Sequence, residues 1–336
     1  MSAQAYFRKR VGRNVFDAVP KVSVVIPAYE SADTILEAVN SALGQKFREH
    51  EIIVVNDGSP DTELLERMLR PHIEDIIYIR QRNSGAGVAR NLGIEHARAK
   101  IIAFLDADDV WLPDYLAAQF VFMQRHGYDM VYCDAQMFGM NSAYRRTFMD
   151  DAPSEGEANF NSILDLRCNV ITSGTMARKD MIATAGMFET ERVRAHDFHL
   201  WLRMAKAGAK IGYQNKVLLK YRVGTDGISG DSISRVEREI DAFERVRRTI
   251  ELDHEQRAIV ARRVAGLEAD LAVEHGKAFL LSGDHKGAAR AFRVANRHRR
   301  SIKLAGIAWM ARLAPRTLVK HYKRGRASEI ALVPKS

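Results

Sequence analysis

Asp106 and Asp108 stand two residues apart, directly after the apolar run Ile101-Ile102-Ala103-Phe104-Leu105. In extended chain, side chains at i and i+2 point the same way, so both carboxylates face one spot. A buried strand over the apolar run puts that spot at the strand's C-terminal end, where open α/β sheets bind their ligands. Paired oxygen ligands there suit a hard divalent cation carrying a phosphorylated substrate. The competing reading makes them turn or capping carboxylates ahead of the next helix. Asp109 reads as a capping or supporting member of the same loop.

Other residues could add chemistry. Asp57 follows the run Glu51–Val55 and opens the turn Asn56-Asp57-Gly58-Ser59-Pro60, so its carboxylate should project at the same sheet edge; an Asx-turn role is the alternative. Asp197 lies ahead of a stripe of Phe198, Trp201, Leu202 and Ala205, the spacing of one helical face. It is either a candidate base or a helix N-terminal acid favoured by the macrodipole. Gly85, Gly87 and Gly93 do not form a dinucleotide fingerprint, and they do not follow the first strand. They fit a tight helix start near a ligand.

The elements that must position these residues alternate. Strands are expected at Val22–Ile26, Glu51–Val55, Ile76–Ile79 and Ile101–Leu105, with helices over Asp33–Leu43 (Asp33 as N-cap), a polar stretch before Ile76, and Ser84–Ala99. Pro27, lacking an N–H, should stop the first strand's ladder. Such alternation predicts a mainly parallel sheet with both faces covered. Beyond Asp109, a helix is expected over Leu112–His126, strands over Asp129–Tyr132 and Ala143–Phe148, a loop over Asp150–Ala158 and a helix over Ala195–Ala207. Further strands are expected at Ile211–Tyr213 and Val217–Val223, and a flexible loop over Gly224–Asp231. From Ser232 the composition changes to long charged helices. The domains expected are therefore a basic lead-in over 1–20, an α/β domain over 21–231 and a helical, basic region over 232–336.

Five segments in this order resemble the family 2 glycosyltransferases of the GT-A fold. They are Val22-Ser23-Val24-Val25-Ile26-Pro27-Ala28-Tyr29-Glu30, Val54-Val55-Asn56-Asp57-Gly58-Ser59, Asn83-Ser84-Gly85-Ala86-Gly87-Val88-Ala89-Arg90-Asn91-Leu92-Gly93, Asp106-Ala107-Asp108-Asp109 and His196-Asp197-Phe198-His199-Leu200-Trp201-Leu202. The resemblance spans about Val22 to Val223 and leaves out the helical C-terminus.

It implies a GT-A, Rossmann-like mixed sheet and an inverting transfer from a nucleotide sugar, usually a UDP-sugar. The acceptor implied is a carbohydrate or lipid-linked saccharide of polysaccharide biosynthesis. The leaving nucleoside diphosphate needs charge stabilisation, which a divalent cation supplies. The acceptor hydroxyl needs a carboxylate to take its proton. By resemblance Asp106 and Asp108 form the DxD motif: Asp108 ligates Mg2+ or Mn2+, and Asp106, a second candidate ligand, contacts the ribose or sugar side. Asp57 accepts from the uracil ring N–H. Ala28 lets backbone approach the base, Tyr29 lies along it and Glu30 reaches the ribose. Pro27, Arg82, Asn83, Gly85 and Ala107 complete the donor-binding candidates; Arg82 is equally read as an exposed arginine. Asp197 is the catalytic base. The family helix usually begins Glu-Asp and runs to a further acid; here His196 and His199 replace those two acids, and both become candidates for diphosphate or acceptor contact. Arg222 is a third such candidate, and an ordinary surface arginine is equally compatible. Arg90 and Asn91 read as mainly structural.

Bulk properties bound these readings. At 336 residues the chain exceeds a usual single domain, and its net charge of +9 favours an anionic partner. Cys133 and Cys168 form no framework, as expected in a reducing, cytoplasmic compartment. No run is long and apolar enough for a spanning helix. Leu281-Ser282-Gly283-Asp284-His285, with Ala288 and Phe292, resembles one tetratricopeptide-type unit, too few for an array, and reads as a helical hairpin packed on the main domain. Arg290, Arg293, Arg297, Arg299, Arg300 and Lys303 lead into Ile302–Met310, then Arg312, Arg316, Lys320, Lys323 and Arg324. That mixture fits a peripheral helix on the anionic inner face of the cell membrane, or a solvated helix on the core. No nucleic-acid motif is present, so no nucleic-acid partner is expected. The alternatives are the same chemistry with another donor nucleotide, and a nucleotide-sugar-binding module that does no transfer.

Overall fold

The structure is a computed structural model that describes residues 8–11, 19–139, 146–191, 195–223 and 232–322. The chain divides into two compact units, Met1–Val223 and Gly224–Ser336. The loop expected over Gly224–Asp231, the start of the strand expected at Ala143, and Lys323 and Arg324 lie outside the described residues.

The first unit is built on a sheet. Its strands are β1 (Arg8–Val11), β2 (Val22–Ala28), β3 (His50–Asn56), β4 (Ile77–Arg80), β5 (Ile101–Phe104), β6 (Val110–Trp111), β7 (Met130–Gly139), β8 (Thr175–Arg178) and β9 (Ile211–Val223). Their order is β1-β4-β3-β2-β5-β8-β7-β9-β6. The expected mixed α/β class holds. The segment β4-β3-β2-β5 is parallel throughout, and β7 also pairs parallel with β9. Antiparallel pairings join β1 to β4, β8 to β5 and β7, and β6 to β9.

The helices of this unit are α1 (Ile35–Leu43), α2 (Thr62–Leu69), α3 (Ala86–His96), α4 (Tyr115–His126), α5 (Phe148–Asp151), α6 (Phe160–Leu164), α7 (Lys179–Thr184) and α8 (His196–Lys206). Val22, Val24, Val25 and Ile26 are fully buried, because the central parallel strands are covered on both faces. Helix α3 lies close over β2. A Cβ on Gly93 would come within 2.4 Å of Val25 Cγ1, so the side-chain-free position permits that approach.

Several expectations change. The lead-in contributes strand β1. Thr34, not Asp33, caps α1. Pro27 does not end β2: Pro27 and Ala28 still pair with Val55 and Asn56 of β3. Toward β5 the ladder stops after Val25, whose carbonyl accepts from Leu105. Alternate residues of a strand hydrogen-bond to opposite neighbours, so the missing N–H of Pro27 faces β5. Proline thus parts β2 from β5 and leaves the β3 side intact. Phe148, expected to end a strand, instead opens α5, which starts at the Thr147–Asp150 capping box and runs to Asp151 inside the expected loop. Helix α8 buries Leu200 and Met204 with Trp201 and Leu202, whereas Phe198 and Ala205 are only half-buried. It touches both α6 and α7, so no single stripe is buried.

The second unit is helical, with α9 (Ser232–Thr249), α10 (His254–Ser282), α11 (His285–Arg299) and α12 (Ile302–Leu313). The expected break falls between α10 and α11, where Asp284 caps α11 by accepting from Gly287 N–H. Ala288, Phe292 and Ala295 of α11 pack with Leu304, Ala308 and Ala311 of α12.

Candidate active site

The C-terminal ends of β2, β3, β4 and β5 bring four loops to one edge, as parallel neighbours must. The β2 and β3 loops are stapled together. Ser59 Oγ accepts from Glu30 N–H at 2.6 Å, and Asp61 accepts from Ala32 N–H at 2.9 Å. Asn56, fully buried at the end of β3, donates to Thr62 and Tyr78 and accepts from Ser59 N–H. Glu30 sits at φ 49°, a left-handed conformation that is costly for a non-glycine residue. Its side chain and that of Tyr29 are exposed.

Asp57 is buried and organises the β4 loop. Its Oδ1 accepts from Gln81 Nε2 at 2.6 Å and Ser84 N–H at 2.9 Å; its Oδ2 accepts from Gly85 N–H at 2.7 Å. Gly58 follows at φ +64°, where a Cβ would meet Asn83 N at 2.4 Å. The local turn bond belongs to Asn56, whose Oδ1 takes the Ser59 N–H, while Asp57 reaches across to the β4 loop; three of its acceptor positions are used there and Oδ2 keeps one. Arg82 is exposed and Asn83 half-buried beside it.

Asp106, Asp108 and Asp109 follow β5. The Arg90 guanidinium, buried on α3, pairs with Asp106 Oδ1, and its other terminal nitrogen lies 3.3 Å from His196 Nε2. Ser173 Oγ accepts from Asp106 N–H at 3.0 Å. Ala107 is buried. The surrounding walls, then the charge of Asp106, push the Asp108 carboxyl above its ordinary range, although the residue itself stays exposed. Asp109 is buried, and the following helix α4 has Asp114, not Asp109, at its N-cap. Its Oδ1 accepts from Arg222 N–H at 2.8 Å, and its Oδ2 has no hydrogen-bond partner. Burial, then Asp106 and Asp108, push its carboxyl well above the usual value.

Asp197 opens α8. Thr172 donates to its Oδ2 at 2.7 Å, and Phe198 N–H donates to its Oδ1 at 2.8 Å. Burial pushes this carboxyl upward. The His196 charge, the Thr172 hydroxyl, Arg90 and the Phe198 N–H together outweigh burial and hold it below its ordinary value. A single 3-10 turn, Thr172–Gly174, thus supplies Thr172 to Asp197 and Ser173 to Asp106. Trp111 and Gln119 donate to the Ser173 and Gly174 carbonyls and fix that turn. Burial raises the Tyr221 hydroxyl pKa, and Asp109, Asp106, Asp108 and Asp197 all raise it further.

The structure brings together Pro27, Ala28, Asp57, Gly85, Asp106, Ala107, Asp108, His196 and Asp197 at this edge. It does not give His199 an open position. That ring is 3% exposed, 3.3 Å from Glu189 and 3.2 Å from Arg203 Nε. The i+3 position from His196 turns into the helix packing. Arg222 is also committed: it donates to Glu37 at 2.9 Å and to the Asp108 carbonyl at 2.8 Å, and lies 4.4 Å over Phe138. Sequence reasoning left out Arg90, Thr172 and Ser173 as site members. The signal for Arg90 was a charge among Ala86, Gly87, Ala89 and Gly93, where a helix packs too closely to leave it in water. Asn91 is structural as expected, exchanging two hydrogen bonds with Phe188 backbone.

Among the described residues, no group of three or more His, Cys, Asp or Glu side chains is arranged to hold a metal ion alone. A Mg2+-type ion needs only one or two carboxylates when substrate phosphates complete its shell. The Asp108 carboxylate, with its side chain exposed and its pKa raised by desolvation and then by Asp106, fits that sharing.

A family model for glycosyl transferase family 2 matches residues 23–184. The putative teichuronic acid biosynthesis glycosyltransferase TuaG of Bacillus subtilis (strain 168) is 30% identical over 217 residues, covering 63% of this chain and 82% of that protein. This chain belongs to glycosyl transferase family 2. A further relative is the Escherichia coli UDP-Glc:alpha-D-GlcNAc-diphosphoundecaprenol beta-1,3-glucosyltransferase WfaP. It is 27% identical over 67% of this chain and 86% of its own length. Among solved structures, the mannosyltransferase PcManGT from Pyrobaculum calidifontis, in complex with GDP-Man and Mn2+, superposes with a TM-score of 0.58. Its identity is 20%, over 90% of this chain and 83% of that one. The family 2 chain thus has the GT-A fold and is a glycosyltransferase by class.

Proposed function

We propose that the protein transfers a sugar, with inversion, from a UDP-sugar to a hydroxyl of a carbohydrate or lipid-linked saccharide acceptor in polysaccharide biosynthesis. The observation that carries this reading is the link through Arg90. One buried guanidinium joins Asp106 to His196, the neighbour of Asp197, so donor and acceptor machinery form one constellation. The activity for which WfaP is named, with a UDP-Glc donor and a diphosphoundecaprenol-linked acceptor, supports both substrate classes.

Each residue then has a task. The spare acceptor position on Asp57 Oδ2 takes the uracil ring N–H, and a base offering an acceptor there leaves buried groups unpaired. Tyr29 offers an exposed ring face to the base, Ala28 leaves room for it, and Glu30 reaches the ribose. Asp108, with Asp106, would hold Mg2+ or Mn2+, which when bound supplies Lewis-acid stabilisation of the diphosphate leaving group. Asp106 is held by Arg90 toward the ribose or sugar side. Asp197, kept ionised by its surroundings, takes the acceptor proton as the hydroxyl attacks. His196 borders the acceptor side, where a neutral or cationic ring replaces an acid. Arg82 flanks the cleft as a supplementary cation, while Arg222, tied to Glu37 and the Asp108 carbonyl, braces the loop that carries Asp108.

The GDP-Man complex of PcManGT favours a second reading, the same chemistry with a guanosine donor. A thermal-shift panel of UDP- and GDP-sugars with Mn2+ or Mg2+, followed by donor-turnover assays, separates the readings. A UDP-selective, metal-dependent shift with UDP release supports the proposal. Selective stabilisation by GDP-sugars supports the second. Binding without turnover on any acceptor would leave a nucleotide-sugar-binding module.

A further inference from the structure

The second unit carries a surface that the transfer chemistry does not use. Helices α11 and α12 pack on each other through small and aromatic residues, and α11 packs on α10 as well; the remaining faces of both helices are exposed. On α12, Ile302, Gly306, Trp309 and Leu313 follow the i, i+4, i+7, i+11 spacing of one face. Ile302 is 91% exposed, Trp309 64% and Leu313 59%. On α11, Arg290, Arg293 and Arg297 form an exposed row at i, i+3, i+7, with Val294 between them. This arginine row and the apolar ridge meet. Arg290, Arg293 and Arg297 line one groove of about 670 Å3 with Ala305, Trp309 and Arg312.

The charge is one-sided. From His285 to Tyr322 the sequence has no Asp or Glu, while Lys286, Arg300, Lys303, Arg316 and Lys320 add to the residues already named; Arg299 is instead paired with Asp270 of α10. Single exposed apolar residues are ordinary on soluble proteins. Three large ones on one helical face beside a row of arginines are the pattern of an interfacial helix, apolar groups entering the acyl boundary and cations meeting headgroup phosphates. A nucleic-acid surface would need no exposed isoleucine and leucine, since backbone phosphates are met by cations alone.

We propose that the α11–α12 face docks the protein on an anionic lipid bilayer, with Trp309 at the headgroup boundary and Arg290, Arg293 and Arg297 on lipid phosphates. This assignment is independent of the glycosyl-transfer reading. No described helix is long and apolar enough to cross a membrane, so the association is with one leaflet.

The test uses the intact protein without donor or acceptor. Of its three tryptophans, Trp111 and Trp201 are 2% and 1% exposed, so a change in emission reports mainly on Trp309. Vesicles of phosphatidylcholine with about one-third phosphatidylglycerol should sediment the protein and shift its emission to the blue; pure phosphatidylcholine should do neither. Replacing Arg290, Arg293 and Arg297 together by Gln should weaken binding on the order of 100-fold, from the usual contribution per basic residue near such a surface. Trp309→Ala should weaken sedimentation and abolish the blue shift. These side chains are exposed, so the variants should keep the wild-type melting temperature, which is measured alongside. Equal binding to neutral vesicles, unchanged binding by the Arg→Gln variant, or no vesicle binding at all would each overturn the proposal. So would oligonucleotide binding by the same arginines without vesicle binding.

Discussion

The Arg90 guanidinium pairs with the Asp106 carboxylate from inside the protein, with the arginine side chain 6% and the aspartate side chain 30% exposed. A buried charge of this kind persists only when paired. Here its partner belongs to the motif that would face the diphosphate, and its second contact is His196. The donor-side acid is therefore held by a fixed cation before any ligand arrives.

Removing that cation should cost both stability and order. Arg90→Gln leaves Asp106, Asp108 and Asp109 facing one another without a counter-charge. With Asp106 partly open to solvent, the expected loss is about 1–3 kcal/mol, below the usual cost of breaking a fully buried pair. Mn2+ should raise the melting temperature more in Arg90→Gln than in wild type, because an ion then relieves greater repulsion. Equal metal-induced shifts would show that Arg90 does not balance this cluster.

Asp108→Ala should remove the metal dependence of nucleotide binding. The nucleotide-induced thermal shift should become insensitive to chelator, and turnover should fall by about 100-fold or more, the scale of lost electrostatic stabilisation. A metal-dependent shift that survives the substitution would move the ion to other ligands.

Asp197→Asn should retain nucleotide binding within about threefold and lose transfer by roughly 10^2–10^4-fold, as for a general base. Because Asp197 titrates below its ordinary value, wild-type activity should stay flat as pH falls to about 5, above the usual carboxylate range. Thr172→Val removes a hydrogen bond to the ionised form, so the acid limb should move upward. The linkage has the same sign: the depressed pKa contributes stability above the unfolded value, lost as pH falls through the folded one. A pH–rate profile of Thr172→Val identical to wild type would remove this hydroxyl from the base's environment.

Asp109 behaves in the opposite sense. Its folded pKa is raised, so its contribution is complete below the unfolded value, about 3.9, and is lost as pH rises through the folded value. In chelator-treated protein, Asp109→Asn should remove part of the stability loss seen on raising pH above the ordinary carboxylate range. Melting temperatures of the two proteins across pH would show it as converging or crossing curves; parallel curves would contradict it.

Much of this was legible in the sequence because its causes are local. Val22–Ile26, Glu51–Val55, Ile76–Ile79 and Ile101–Leu105 read as buried strands from continuous apolar runs, each within two residues of an observed strand at either end. Alternation with helices then made their common C-terminal edge predictable. Asp57, Asp106 and Asp108 follow those strands directly, so their place on that edge was fixed by chain connectivity, and Asp197 was marked by the helix behind it. Other features depended on tertiary contacts. Pro27 stops only one of its two ladders, because the direction of its missing N–H matters only once both neighbours are known. His199 faces the packing of α8, and Arg222 is held by Glu37, far away in sequence. Arg90, Thr172 and Ser173 carry no motif of their own; they reach Asp106 and Asp197 only when α3 and the Thr172–Gly174 turn pack against the loop after β5. Sequence alone determined which acids stand at the ends of strands. Tertiary packing decided which cation and hydroxyls hold them, and so which remain charged, because those partners come from chain segments that no local pattern links.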